Sequence, residues 1–198
     1  VVSRESYPVE DYLKPGDHLC SFYETKEEQF QIVLPFLANG LAKAEKCVYL
    51  TDENTAAEIK AGLLMRDVPV GRYLQSGQLR IVTARDSYLR DGRFDPHAII
   101  SFFSSSIDEA VKEDYTGLRV AGETSWILRD LRSLDDWIAW EAMVNVAFRN
   151  RPFKGLCQYN VKRFFGDMVV KVLKTHPRVL LGLDLFENVF YEPMRLPV

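Results

Sequence analysis

Three segments carry the side chains best suited to chemistry. From His18 to Tyr23, an apolar run of strand length, His18, Cys20 and Phe22 alternate, so an extended chain points all three to one face. Cys157 and Tyr159 alternate in the same way within the run 156–159. If the two runs pair side by side, an imidazole meets two thiols, a set that suits zinc or copper. No CxxC or HExxH spacing supports such a centre, and buried cysteines ordinarily pack as small apolar groups. The sequence therefore assigns no metal ligand, and no cofactor is expected. The third segment holds Glu141, which falls within a helical stripe of Leu134, Trp137, Ile138, Val144 and Phe148. A carboxylate on an apolar face is costly unless paired. Asn145 one turn on, and Arg129 and Arg132 before the helix, are the partners that sequence proximity offers; the alternative is that Glu141 and Trp137 line a cavity.

Those segments sit in a chain with a regular rhythm. The turn Lys14-Pro15-Gly16-Asp17 precedes the first strand, and Thr25 with Glu28 makes a capping-box pattern before Phe30, Val33, Leu34, Leu37, Leu41 and Ala44 at helical spacing. The run 47–50 reads as a second strand, followed by a helix capped by Asn54 and running to about Arg66. Further strands are expected at 79–83, 118–121, 156–159 and 179–183. Helices are expected from Asp95-Pro96, from about Ser133 to Phe148 and from about Arg163 to Lys174. His176, followed by Pro177, reads as a cation closing the last helix, and His97 as a surface helix residue. Strands apolar on both faces, alternating with helices, predict an α/β domain with a mainly parallel sheet flanked by helices on both faces.

The bulk numbers narrow the function. At 198 residues, 47% hydrophobic and 27% charged, the chain suits one globular domain. We read residues 1–14 as an N-terminal extension and 15–198 as a single domain. The net charge of −3, with scattered Lys and Arg, lacks the basic stripe of a nucleic-acid binder. Three cysteines without paired spacing indicate free thiols and a cytoplasmic location. No apolar run is long enough to span a bilayer, so no membrane partner is expected. The sequence begins at Val1 without a Met, which fits a piece of a longer polypeptide.

Gly16-Asp17-His18-Leu19-Cys20-Ser21-Phe22-Tyr23-Glu24, then Leu156-Cys157-Gln158-Tyr159-Asn160, then Thr175-His176-Pro177 before a strand, together resemble the MEDS domain. This is a sensory module named for methanogen and methylotroph regulators related to a dichloromethane-responsive repressor. The resemblance runs from about residue 15 to about residue 193. It implies a degenerate RecA/KaiC-like fold and a non-catalytic sensor of simple hydrocarbon derivatives. It also implies signal transduction through a DNA-binding or histidine-kinase output module in cis or in trans, with transcription regulation as one outcome.

In the related ATPases the turn after the first strand holds the phosphates on glycine N–H groups, with a Lys and a Ser or Thr for the β/γ-phosphates and Mg²⁺. Here that turn reads Tyr23-Glu24-Thr25-Lys26-Glu27-Glu28, without a glycine and with three carboxylates that repel a triphosphate. A functional P-loop is absent and no enzyme activity is expected; Lys26 reads as solvated surface. Since ligands of open α/β sheets bind beyond the carboxyl ends of the strands, the expected pocket gathers Tyr23, Glu24, Asp52, Glu53 and Glu123 there. Thr124 and Asn160 lie at the same ends. His18, Cys20, Phe22, Trp126, Trp137, Glu141 and Tyr159 complete the ligand-binding set, its aromatics providing apolar walls for a small, largely apolar molecule. Such a ligand would signal by shifting the arrangement of segment 188–198. The alternative reading is a protein-interaction or dimerisation module, a homodimer for instance, using the exposed side of segment 88–94.

Overall fold

The computed structural model of the chain describes residues 12–89 and 92–194. Among the described residues seven strands form one sheet: β1 (Asp17–Tyr23), β2 (Lys46–Thr51), β3 (Leu79–Thr83), β4 (Leu118–Glu123), β5 (Phe153–Asn160), β6 (Arg178–Leu181) and β7 (Asp184–Glu187). Their order is β3-β2-β4-β5-β1-β6-β7. All neighbours are parallel except the β6–β7 pair. This is the expected α/β architecture with a largely parallel sheet. The connections are α1 (Lys26–Ala42), α2 (Ala56–Leu64), α3 (Val70–Gln75), α4 (Ala84–Ser87), α5 (Pro96–Lys112), α6 (Leu134–Ala147) and α7 (Asp167–Thr175), with short 3-10 turns at Ser125–Arg129 and Leu131–Ser133.

Two cores lie on opposite faces. On one face Leu19, Tyr49, Ala121 and Leu156 meet Val33, Leu34 and Leu37 of α1, with Ile59 and Leu63 of α2 behind. On the other, Cys20, Leu50, Val120, Cys157 and Tyr159 meet α5, α6 and α7. The split follows from the pleat, because alternate residues of each central strand point to opposite faces and both faces must be covered. One charged cluster ties the amino-terminal end of the sheet. Arg119 is fully buried, with Glu45 accepting from its Nε and its guanidinium resting on the Phe36 ring at 4.7 Å. Lys154 pairs with the other oxygen of Glu45.

Several boundaries differ from expectation for local reasons. Thr55, rather than Asn54, caps α2, because Thr55 and Glu58 complete a reciprocal capping box while Asn54 turns inward. That helix gives out at Leu64 instead of Arg66, and α1 stops at Ala42 short of Ala44, which takes a positive φ of 56°. The start of α7 is delayed from Arg163 to Asp167 by Gly166, at φ 61°. Gly182, at φ 60°, ends β6 at Leu181 rather than 183 and turns the chain back into β7, a strand the apolar pattern did not announce. Tyr88 and Phe94 are both buried, so the segment they bound does not present their rings as an interface; its residues 90 and 91 lie outside the described residues, as do most of 1–14 and 195–198.

Candidate functional site

The carboxyl end of the sheet, where the phosphates of a RecA-like nucleotide would sit, is occupied by the chain's own side chains. The buried Glu123 carboxylate accepts five hydrogen bonds. Three come from consecutive backbone N–H groups of Asp52, Glu53 and Asn54, at 3.0, 2.6 and 3.1 Å, on one oxygen. The other two come from Tyr49 Oη at 2.7 Å and Asn54 Nδ2 at 2.9 Å on the second oxygen. Successive N–H groups converging on an anion form a nest of the kind that holds phosphate elsewhere, and here an internal carboxylate fills it. Gln29 of α1 accepts from Asn54 and donates to Gln158 of β5, extending the network beneath the helix start. That start is itself capped, since Thr25 Oγ1 accepts from the Glu28 N–H and the Glu28 side chain accepts from the Glu24 N–H.

The other acids at this end are paired at the surface. Asp52 bridges Arg129, exposed Glu53 pairs with Arg163, and Glu24 lies 3.5 Å from Lys162. Lys26 bridges Glu58 at 2.7 Å and remains half exposed. Thr124 donates to the Gln158 carbonyl. An open depression of about 460 Å³ beside β2 and β3 includes Asp52 and Arg129, and Tyr23 is buried at the end of β1.

The interior of the α5–α7 face is different. β1 lies between β5 and β6, with Cys20 opposite Cys157 in register. α6 crosses above and α7 ends beside it, so His18, Glu141, Cys157 and His176 converge, all buried. Glu141 Oε2 is 3.0 Å from His18 Nε2, 3.3 Å from His176 Nε2 and 3.5 Å from Cys157 Sγ. Cys157 Sγ is also 3.5 Å from His18 Nε2. The other carboxylate oxygen accepts from the Tyr159 hydroxyl. Burial would raise the pKa of Glu141, but the charges and hydrogen bonds of His176 and His18 hold it well below the usual carboxylate range. The same burial lowers His18 and raises the Cys157 thiol.

Glu141 is thus partnered, though by two histidines and not by the arginines nearest in sequence: Arg129 serves Asp52, and exposed Arg132 serves Asp130. Asn145 belongs to the same group, its Oδ1 facing His18 Nδ1 at 3.2 Å. His176 does bond a last-turn carbonyl, that of Val172 at 2.8 Å, but its ring lies inside the core, 4.2 Å from the His18 ring. Cys20 stands aside, its sulfur against the Arg178 carbonyl. His97 is exposed on α5.

An aromatic layer adjoins this group. Trp137 stacks on Trp140 at 4.7 Å and meets Trp126 edge-on at 5.0 Å, with Tyr88, Phe94 and Phe103 around them. Phe22 packs on Tyr159 at 5.9 Å. Between this layer and the polar group lies a cavity of about 20 Å³ lined by His18, Cys157, Tyr88, Trp140, Gly122 and Gly155. The two glycines make the space: a Cβ on Gly122 would stand 2.8 Å from Tyr88 Oη, and one on Gly155 2.8 Å from the Phe153 ring. Beyond Phe103 a cleft of about 380 Å³ opens between α5 and strands β2–β4, floored by Val48, Leu50, Val82, Phe102, Phe103 and Leu118.

The expected site residues therefore fall into two groups. His18, Cys20, Phe22, Trp126, Trp137, Glu141 and Tyr159 gather on the α5–α7 face. Tyr23, Glu24, Asp52, Glu53 and Glu123 gather at the carboxyl end. Sequence reasoning set His176 aside as a cap and did not foresee Tyr88, Phe103 and Trp140. A histidine 158 positions from His18 gives no local signal; only the placement of β1 beside β6 brings the two together.

Residues 17–177 match the family described as MEDS, the methanogen/methylotroph DcmR sensory domain. The chain belongs to this family. As a MEDS domain it is a sensory module and not a catalytic one. The transcriptional repressor DcmR of Methylorubrum extorquens is 24% identical over 165 residues, which cover 81% of this chain. The same match spans 58% of that repressor's length. Among the described residues no helix is long and apolar enough to cross a membrane.

Proposed function

We propose that this MEDS domain is the input module of a cytoplasmic regulator, and that it binds a small, largely apolar hydrocarbon derivative in the cleft beneath α5. The cleft is the observation that carries the reading. Its volume of about 380 Å³ falls within the range of small-molecule sites, and an apolar floor with a few charged groups at the rim is how such sites select ligands. Lys46, Arg80, Asp86 and Glu109 form that rim. The output is a DNA-binding or histidine-kinase module in cis or in trans, in keeping with the name of the related repressor.

A route for the signal begins at Phe103, which lines the cleft and packs on Trp140 of α6 at 6.3 Å. The next residue of α6, Glu141, reaches His176, whose carbonyl accepts from Asn188 at 2.7 Å at the head of the C-terminal segment. A ligand that favours one position of Phe103 would thereby bias that segment, as a population shift requires.

The test is a thermal-shift panel of short alcohols, methylamines and halogenated hydrocarbons, with Mg-ATP alongside, on the parent and on Val82→Trp, which fills the cleft. A ligand at about 100 times its Kd adds roughly 2.7 kcal/mol. That raises the midpoint by about 5–11 °C for a domain of this size. A rise in the parent that vanishes in Val82→Trp supports the reading; a rise kept in Val82→Trp refutes the location.

A second reading, self-association, is favoured by the opposite edge of the sheet. There Leu181, Leu183, Val189 and Phe190 are exposed around β7, the last strand in the sheet order. Concentration-dependent association in sedimentation, without added ligand and lost in Phe190→Lys, would favour it.

A further inference from the structure

We propose that His18, Glu141, Cys157 and His176 form a zinc-binding centre. The first support is metric. Tetrahedral zinc holds nitrogen and oxygen donors at about 2.0–2.1 Å and sulfur at about 2.3 Å, so the edges of its coordination shell run to about 3.3 Å between N/O donors and about 3.6 Å to sulfur. Two observed N–O edges are 3.0 and 3.3 Å, and the N–S and O–S edges are both 3.5 Å. The two remaining edges, both to His176 Nε2, lie within 4.8 Å, so its ring must close in on the other three donors for a regular tetrahedron.

The second support is the direction of lone pairs. Val172 presents a carbonyl oxygen to His176 Nδ1 at 2.8 Å, so that nitrogen carries the proton. The amide nitrogen of Asn145 is engaged by the carbonyls of Thr175 at 2.7 Å and Glu141 at 3.1 Å, which leaves its oxygen facing His18 Nδ1. Both imidazoles thus hold their proton on Nδ1 and aim Nε2 lone pairs inward. His176 Nε2, fully buried, faces the Glu141 carboxylate at 3.3 Å. Two ring nitrogens, a carboxylate oxygen and a sulfur facing one point must be joined there either by protons, as in the Cys157 thiol that faces Glu141, or by a metal ion.

The outer contacts complete the pattern. Metal-bound histidines characteristically donate their second N–H to a carbonyl or carboxylate, and ligating carboxylates are themselves hydrogen-bonded. Here Asn145 and Val172 hold the two rings, and Tyr159 donates to the Glu141 oxygen turned away from the point of convergence. Two imidazoles with a thiolate and one carboxylate suit zinc rather than magnesium or calcium, which take oxygen ligands. On binding, the Cys157 thiol releases its proton to solvent and sulfur ligates as thiolate. The cavity of about 20 Å³ beside the donors is large enough for about one water-sized molecule. This centre is separate from the cleft under α5, and its test does not depend on that ligand.

The experiment is elemental analysis of the chain purified from zinc-supplemented cells, followed by titration of the chelator-stripped chain with Zn²⁺ and with Co²⁺. We expect one zinc per chain, and with Co²⁺ a tetrahedral ligand-field spectrum carrying a thiolate charge-transfer band. Cys157→Ser should abolish that band, and His176→Gln should lose stoichiometric metal. Tyr159→Phe, which keeps every donor, should weaken zinc about 10–100-fold, with circular dichroism confirming the fold. Cys20→Ala should bind as the parent does. The proposal is overturned if the parent neither retains nor takes up stoichiometric zinc, which would leave a protonated His–Glu cluster. Zinc kept by a Cys157→Ala/His176→Gln double variant, or lost in Cys20→Ala, would overturn this donor set.

Discussion

Replacing Glu123 by Gln tests whether the nest it fills is a structural element. The side chains are nearly isosteric, so packing is kept while one acceptor oxygen becomes an NH₂ donor. Either that NH₂ faces the three N–H groups of Asp52, Glu53 and Asn54, or it faces Tyr49 Oη and Asn54 Nδ2. In the second orientation Tyr49 Oη can accept from the new NH₂ only if its own O–H finds another acceptor, while the Asn54 amide still opposes the new donor. At least one buried donor is left unmatched, at about 1–3 kcal/mol, and the charge-assisted bonds that remain weaken by roughly half. The expected loss is about 2–4 kcal/mol, or about 4–16 °C in Tm. Urea denaturation followed by circular dichroism measures it, with Mg-ATP present and absent. A loss under about 0.5 kcal/mol would mean that Glu123 is not the anchor of the β2–α2 turn. A gain in nucleotide affinity on this single change would refute the view that the missing glycine loop bars phosphate.

Three further outcomes follow from other parts of the fold. Glu45→Gln leaves Arg119 buried without its partner charge and should cost about 3–5 kcal/mol at pH 7. Burial raises the Glu45 pKa, but Arg119 and Lys154 outweigh it and hold the folded-state value below the ordinary one. Its contribution is therefore present above the unfolded pKa and is lost as pH falls through the folded pKa. Accordingly the stability gap between parent and Glu45→Gln, measured by denaturation at successive pH values, should narrow in acid; a constant gap would contradict the assignment. Gly122→Ala places a Cβ 2.8 Å from Tyr88 Oη and should lower stability by about 1–3 kcal/mol, whereas Gly92→Ala, at φ 77° with open space around it, should lose stability through backbone strain alone and leave Trp fluorescence unchanged. Thr55→Ala removes the acceptor of the α2 capping box and should cost about 1 kcal/mol in a thermal melt.

The class of the fold was legible because it rests on local patterns. Apolar runs alternating with capped helical stripes specify a covered parallel sheet, and six of the strands follow from them. The turn-back into β7 was not legible, because Gly182 and four residues of mixed polarity carry no strand signal of their own. For the site, Glu141 stood out as a charge on an apolar stripe, but the identity of its partner could not be read from spacing. Helix neighbours offer Arg129 and Arg132, and both are drawn off by acids closer to them. The histidines that answer it are delivered by the first strand and by the end of α7 just before the sixth, so their meeting is a property of sheet order rather than of any window of sequence. His176 illustrates the limit most directly, since capping α7 and facing Glu141 use different nitrogens of one ring and the sequence can report only the first.

The two ends of the molecule's chemistry are connected through β5. Its residues alternate between the faces: Gln158 enters the network of Gln29 and Glu123, while Cys157 and Tyr159 on either side of it face Glu141. A nucleotide-binding relative needs the first face open, with backbone N–H groups free for phosphate. In this chain Glu123, Asn54 and Gln29 engage one another at the strand ends, and Glu123 fixes the β2–α2 turn. Unfilled space lies on the other face. There glycines at 122 and 155 leave unfilled space beside polar groups, and a cleft opens against Phe103. On the function proposed above, the response comes from a molecule that enters on the α5 side, where α6 links the cleft wall to the buried histidines and through His176 to the segment that follows β7.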